Sequence, residues 1–370
     1  MKKIKLGVIG LGFIGKTHVR NSLKLTDASL EAVSDVSKMA LRYAKKDGAR
    51  KTYTDYNQLL KDPDIDAVII GLPTHLHLDC ALKAAEAKKH ILLEKPVATN
   101  VSDAEKILSA ARKNSVKLMV GYYLRFNSIM CDLREKINSG ELGDPVSAYA
   151  TNISTGPFMH RAQGYAPVPV PKWWFNKEMT GGGALIDLGC HMINLLRWFF
   201  GEITDIKGWF GYRFNMDFED HAVCLAQFDS GPTALINVGW FSQKYQLKVE
   251  VHGTVGHAIA NNIPPNPVKA ALQMLTMNNS AFWQPYLSEL TYFVNCVTHD
   301  IRPSPSGEDG VRDLIAIEAA YKNSLQMKNN PCSSISKELK LFYTISNKRL
   351  NYGKKDAKLR HSFGSFTKRT

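Results

Sequence analysis

The chain has 370 residues, 44% hydrophobic and 22% charged, which is ordinary for a protein that buries a core and long enough for about two domains. Of the formal net charge of +13, +8 falls in residues 337–370, where ten Lys and Arg face two acids; the body is only mildly basic, and the pI near 9.3 does not imply a nucleic-acid-binding face. No run approaches 18 consecutive apolar residues, and the six cysteines lie at least 34 residues apart without a Cys-x-x-Cys pair, which argues against a membrane span, secretion or a zinc motif and for free thiols in a reducing cytoplasm.

Short apolar runs at 4–9, 30–33, 67–70, 90–93 and 117–120 predict strands. Amphipathic stretches around 15–25, 37–47, 76–88 and 102–113 predict the helices between them. Such alternation predicts an α/β domain over residues 1–123, a parallel sheet with helices on both faces. Past residue 125 the pattern turns to successive strands, at 146–153, 205–212, 222–228, 233–241 and 247–252, with long helices at 184–200 and 310–328. Residues 124–336 therefore read as an α+β domain with a large open, mostly antiparallel sheet. Its apolar strands predict a homodimer or homotetramer joined through that sheet. The Pro- and Trp-rich stretch 154–180 reads as a long ordered loop, and residues 337–370 as a basic, solvated tail.

The turn Gly10-Leu11-Gly12-Phe13-Ile14-Gly15 follows the first strand and opens a helix. In that context the glycines permit a tight turn at Gly10, backbone approach to a pyrophosphate at Gly12 and close helix packing at Gly15. The free N–H groups of the helix start then face the phosphates. Asp35, 20 residues past Gly15, is placed to accept from a ribose 2′-OH and to repel a 2′-phosphate, which favours NAD over NADP, with Lys38 as the nearby opposing charge.

Together with Pro73-Thr74-His75-Leu76-His77, Glu94-Lys95-Pro96, Arg125-Phe126 and the run from Gly181 to His191, this turn resembles the Gfo/Idh/MocA oxidoreductase family in order and spacing over about residues 1–335. The resemblance implies a Rossmann domain, an open-sheet second domain and a nicotinamide in the crevice between them. It also implies hydride transfer at one carbon of a sugar, cyclitol or nucleotide-sugar. Cofactor contacts are then expected from Gly10, Gly12, Phe13, Ile14, Gly15, Asp35, Leu72, Pro73, Thr74, His77, Glu94 and Lys95. Lys88 stands where the family has a helix-ending glycine, and Asn194 where it has an aspartate.

Oxidising an alcohol needs a hydride acceptor and a base. Lys95, at the end of the fourth predicted strand and held extended by Pro96, projects toward the crevice and is assigned as that base, provided that its pKa is lowered. Asp187 and His191 lie four apart on one predicted helix and are expected to share a face and act with it. Tyr122, Arg125 and Trp173 are expected to line the substrate cleft with them. His75 and His77 lack the partners of a metal site, so none is expected. Two other readings stay open: an NAD-dependent glycoside hydrolase working through transient oxidation, and a non-catalytic dinucleotide-sensing regulator.

Overall fold

The computed structural model describes residues 3–158, 171–242, 245–261 and 283–324. Residues 159–170 of the Pro- and Trp-rich stretch and the basic tail 337–370 lie outside the described residues. Both sheets belong to one compact unit, Met1–Gln326.

The first sheet contains β1 (Ile4–Ile9), β2 (Ala28–Ser34), β3 (Lys51–Tyr53), β4 (Ala67–Ile70), β5 (His90–Glu94) and β6 (Leu118–Gly121). They are all parallel, in the order β3-β2-β1-β4-β5-β6. Between them run α1 (Phe13–Ser22), α2 (Lys38–Asp47), α3 (Tyr56–Leu60), α4 (His77–Glu86) and α5 (Val101–Lys113). The strand order reverses at β1 and β4, so their carboxyl ends open the crevice where such sheets bind dinucleotides. β3 and α3, of three and five residues, escape the sequence reading because neither is long enough to show a period.

The second sheet has the order β12-β11-β7-β10-β9-β8, with β7 (Pro145–Ile153), β8 (Ile203–Gly211), β9 (His221–Phe228), β10 (Thr233–Gly239), β11 (Gln246–Gly253) and β12 (His257–Asn261). Its pairings are antiparallel except β7 with β10. Side chains alternate across it: Ala148, Ala150, Cys224, Ile236, Val249 and Val251 are buried, in the same core as Leu185 and Ile193. Along β10, Ala234, Ile236 and Val238 point inward while Leu235 and Asn237 point out. Further helices are α6 (Ser128–Asn138), α7 (Lys177–Thr180), α8 (Cys190–Phe200), α9 (Gln284–Thr298) and α10 (Gly307–Lys322).

Two helices depart from expectation. The stretch 184–200 is not one α-helix: Leu185–Gly189 forms a π-turn before α8 begins at Cys190. α9, absent from the sequence reading, returns to the first domain and buries Leu290, Phe293 and Val294 in one cluster with Leu6, Val8, Ile69, Leu92 and Met119. The dinucleotide domain is thus completed by residues about 170 positions after its last strand.

Lys88, where a glycine was expected, does end α4 in the left-handed region at φ 59°. Its amine bonds the Asn114 carbonyl and side chain, an exposed contact worth little. Lys88→Gly is expected to stabilise the protein by about 1 kcal/mol, read as a higher denaturant midpoint at unchanged m-value.

Candidate active site

The glycine turn is built as its spacing requires. Gly10 has φ +87°, and a Cβ at Gly15 would sit 1.7 Å from the Gly10 carbonyl oxygen, so both are dictated by the chain's own packing. Gly12 is different. A Cβ there would meet no described heavy atom within 4 Å, so the open space in front of this backbone is a place for a ligand rather than a packing necessity. Gly12 is also the N-cap of α1, with no side-chain cap and no acid in the first turn, which leaves the N–H groups turned toward that space. Asp35 follows β2, and its carboxylate accepts from the backbone N–H of Leu11 at 2.6 Å and of Ser37 at 2.7 Å. Pinned at both oxygens, it holds the glycine turn and keeps lone pairs for a ribose hydroxyl.

Across the crevice, Lys95 follows β5 and its peptide bond to Pro96 is cis. Its Nζ donates to Asp187 Oδ1 at 2.7 Å and to the Asp187 carbonyl at 3.0 Å. The second Asp187 oxygen accepts from Trp240 Nε1 at 3.1 Å. About a fifth of each charged side chain stays accessible, 20% for Lys95 and 18% for Asp187, so the pair lines the crevice rather than the core. Burial disfavours the Lys95 ammonium, but Asp187 outweighs it and the lysine is held above its ordinary pKa. This corrects the premise of a lysine base: Lys95 carries its proton.

His191, in the first turn of α8, is 4% exposed, and its ring meets the edges of Tyr122 and Tyr123 at 5.9 and 5.2 Å. No hydrogen bond joins it to Asp187 among the described residues, because the π-turn changes the register that an i,i+4 pair needs and Asp187 turns to Lys95 and Trp240 instead. Burial, with the Lys95 charge, pushes the imidazole well below its usual range, so it is neutral at physiological pH.

Three residues expected to contact substrate or cofactor are buried and held by other parts of the chain. Arg125 donates from Nε to Asn194 Oδ1 at 2.6 Å and pairs with Asp309. Asn194 in turn donates to Asp313 Oδ2 at 2.6 Å, while Arg197 holds the other Asp313 oxygen at 2.6 Å. An amide can accept from Arg125 and donate to Asp313 at once, which a carboxylate cannot, so the Asn194 departure is explained by its partners. Tyr122 is 1% exposed beneath His191. His77 sets its two ring nitrogens against the carbonyls of Leu72 and Pro96 at 2.9 and 3.0 Å, tying the ends of β4 and β5 together. Trp173, half-buried, lies 6.4 Å from the His75 ring and 5.4 Å from Trp174. Trp240 and Tyr123 were missed: each is remote in sequence from the motif residue it touches, and only the fold brings them together.

The profile of an oxidoreductase family with an NAD-binding Rossmann fold matches residues 4–122, and that of the GFO/IDH/MocA C-terminal domain matches residues 130–259. The chain belongs to the GFO/IDH/MocA family. It is 30% identical to a myo-inositol 2-dehydrogenase of Thermotoga maritima, covering 88% of this chain and 98% of that protein. It is 28% identical to a scyllo-inositol 2-dehydrogenase (NAD(+)) of Bacillus subtilis, covering 88% and 96%. A crystal structure of a probable dehydrogenase from Thermotoga maritima superposes with a TM-score of 0.74 at 28% identity, over 86% of this chain and 96% of that one.

As a GFO/IDH/MocA oxidoreductase, the protein uses NAD, and the uncapped start of α1, the open space at Gly12 and the pinned Asp35 fit that group. Asp35→Ala is expected to weaken NAD binding by about tenfold to a hundredfold, the loss of a charge-assisted hydrogen bond, and NADP binding much less. Titration with the two cofactors measures the ratio, and an unchanged preference would remove Asp35 from ribose recognition.

Proposed function

We propose that the protein is an NAD-dependent dehydrogenase acting on a secondary alcohol, or the matching ketone, of a sugar or cyclitol. The observation that carries this reading is the 2.7 Å ion pair of Lys95 with Asp187, a fifth of each side chain still accessible, with His191 near enough for the Lys95 charge to hold its imidazole neutral. The nicotinamide, when bound, accepts the hydride. The Lys95 ammonium stabilises the alkoxide as it forms, which makes the hydroxyl more acidic. His191 is then free to take the proton, so the role of base passes from the lysine to the imidazole. Asp187, fixed by Trp240, keeps Lys95 charged and aimed. The inositol dehydrogenases among the relatives support a cyclitol substrate.

Incubating the protein and NAD with inositols, hexoses and nucleotide-sugars and following NADH tests the reading. Glycoside cleavage without net NADH would favour the hydrolase alternative, and NAD binding without turnover of any kind the regulator. Lys95→Met is expected to lower kcat by about 10²–10⁴-fold while NAD affinity changes by less than about threefold. The same substitution removes a positive charge beside His191 and so raises the imidazole pKa. Because the base works only when unprotonated, the acid limb of the residual pH–kcat profile should move to higher pH. A limb that stays in place would argue against His191 as base.

We infer, further, that the protein assembles through the outer face of its second sheet. One row across all six strands, Lys207, Leu225, Leu235, Tyr149, Glu250 and Ile259, points away from the core. Leu225, Tyr149 and Ile259 are about half exposed, at 48%, 49% and 49%. A closed dimer or tetramer would cover them. Light scattering should give a multiple of the chain mass for the wild type and the monomer mass for Leu225→Glu; a monomeric wild type would refute the assembly. The five described cysteines, all free thiols, support a cytoplasmic setting, and no helix among the described residues is long and apolar enough to cross a membrane.

A further inference from the structure

One buried polar cluster takes no part in the chemistry above. His18 of α1, Glu94 at the end of β5 and Glu289 of α9 are buried, and one nitrogen or oxygen from each lies within 4.8 Å of the others. Glu94 is well partnered: His18 Nε2 donates to Oε1 at 3.0 Å, and the Lys95 backbone N–H donates to Oε2 at 3.3 Å. It is also confined, since a Cβ on Gly121 would come within 3.1–3.2 Å of its carboxyl group. Glu289 is fully buried, and neither of its oxygens has a hydrogen-bond donor among the described residues.

A buried carboxylate without a donor is costly, and each of two neighbouring buried carboxylates disfavours ionisation of the other. A carboxylic acid has an O–H to give, and an oxygen of Glu94 lies within 4.8 Å of one of Glu289. Burial, with the Glu94 charge added, pushes the Glu289 carboxyl well above its usual range. Around Glu289 stand His18 from α1, Glu94 from β5 and Tyr286 from its own helix. Tyr286 stacks on Tyr123 at 4.2 Å, and Tyr123 meets His191, so α9 reaches both sides of the proposed chemistry.

We propose that Glu289 is a positioning residue: as a neutral carboxylic acid it turns its O–H toward Glu94, and through Glu94, which accepts from the Lys95 backbone N–H, it fixes the main chain that carries Lys95. This rests on the reading of Lys95 as a catalytic group. The test compares the full-length wild type with Glu289→Gln, whose amide can still donate, and Glu289→Leu, which cannot. Leu is expected to lower kcat at least about tenfold through misplacement of Lys95, with NAD affinity and melting temperature nearly unchanged, and Gln to restore turnover to within about threefold of wild type. Difference infrared spectra at neutral pH should show a protonated-carboxyl band in the wild type that both variants lose. That band does not depend on turnover, so it reports on Glu289 even if Lys95→Met proves active and the catalytic reading falls. Absence of the band, unchanged turnover in Leu, Gln as impaired as Leu, or one bound divalent metal per chain by elemental analysis would each overturn the proposal.

Discussion

The ion pair between Lys95 and Asp187 is the contact on which the rest depends, because it joins the two halves of the molecule at the proposed site of chemistry. One partner hangs from the end of a buried parallel strand, the other from a π-turn beneath the second sheet. Pairing two charges that are largely withdrawn from water gains only when the remaining hydrogen-bonding positions are filled. Here the Asp187 carbonyl and the Trp240 indole fill them. The lysine that results is charged in a setting that would otherwise discharge it, and its charge in turn helps to keep His191 neutral. In the mechanism proposed above, these opposite protonation states are what directs the proton one way.

The fold class and the main motifs were legible in the sequence for physical reasons that can be named. Buried parallel strands such as Ala67–Ile70 read as continuous apolar runs, and the glycine turn has a spacing that few other structures require. The protonation of Lys95 was not legible, because it depends on Asp187, 92 residues away. The Asp187–His191 pair was misread for a local reason: helical spacing assumes 3.6 residues per turn, and a π-turn breaks that assumption without leaving a mark in the side-chain pattern. Arg125, a cationic side chain just past a strand end, reads from the sequence as a ligand contact, and the partners that hold it, Asn194 and Asp309, come from two distant helices that the sequence does not connect to it. What sequence periodicity cannot supply is long-range partnership, and the chemistry of this site consists of little else.

The return of α9 to the first domain has a consequence for how the chain is made. The apolar surface formed by Leu6, Val8, Ile69, Leu92 and Met119 is covered by Leu290, Phe293 and Val294, so a nascent chain carrying only the six parallel strands still exposes part of its core. On the ribosome, with residues added at roughly 5–20 per second, that surface waits many seconds for its cover. Contacts of such long sequence separation also make the last step of folding slow in solution. The first 123 residues look like a portable cofactor-binding module when judged by motif alone, but expressed alone they should aggregate, and a functional minimal fragment must run at least through Thr298.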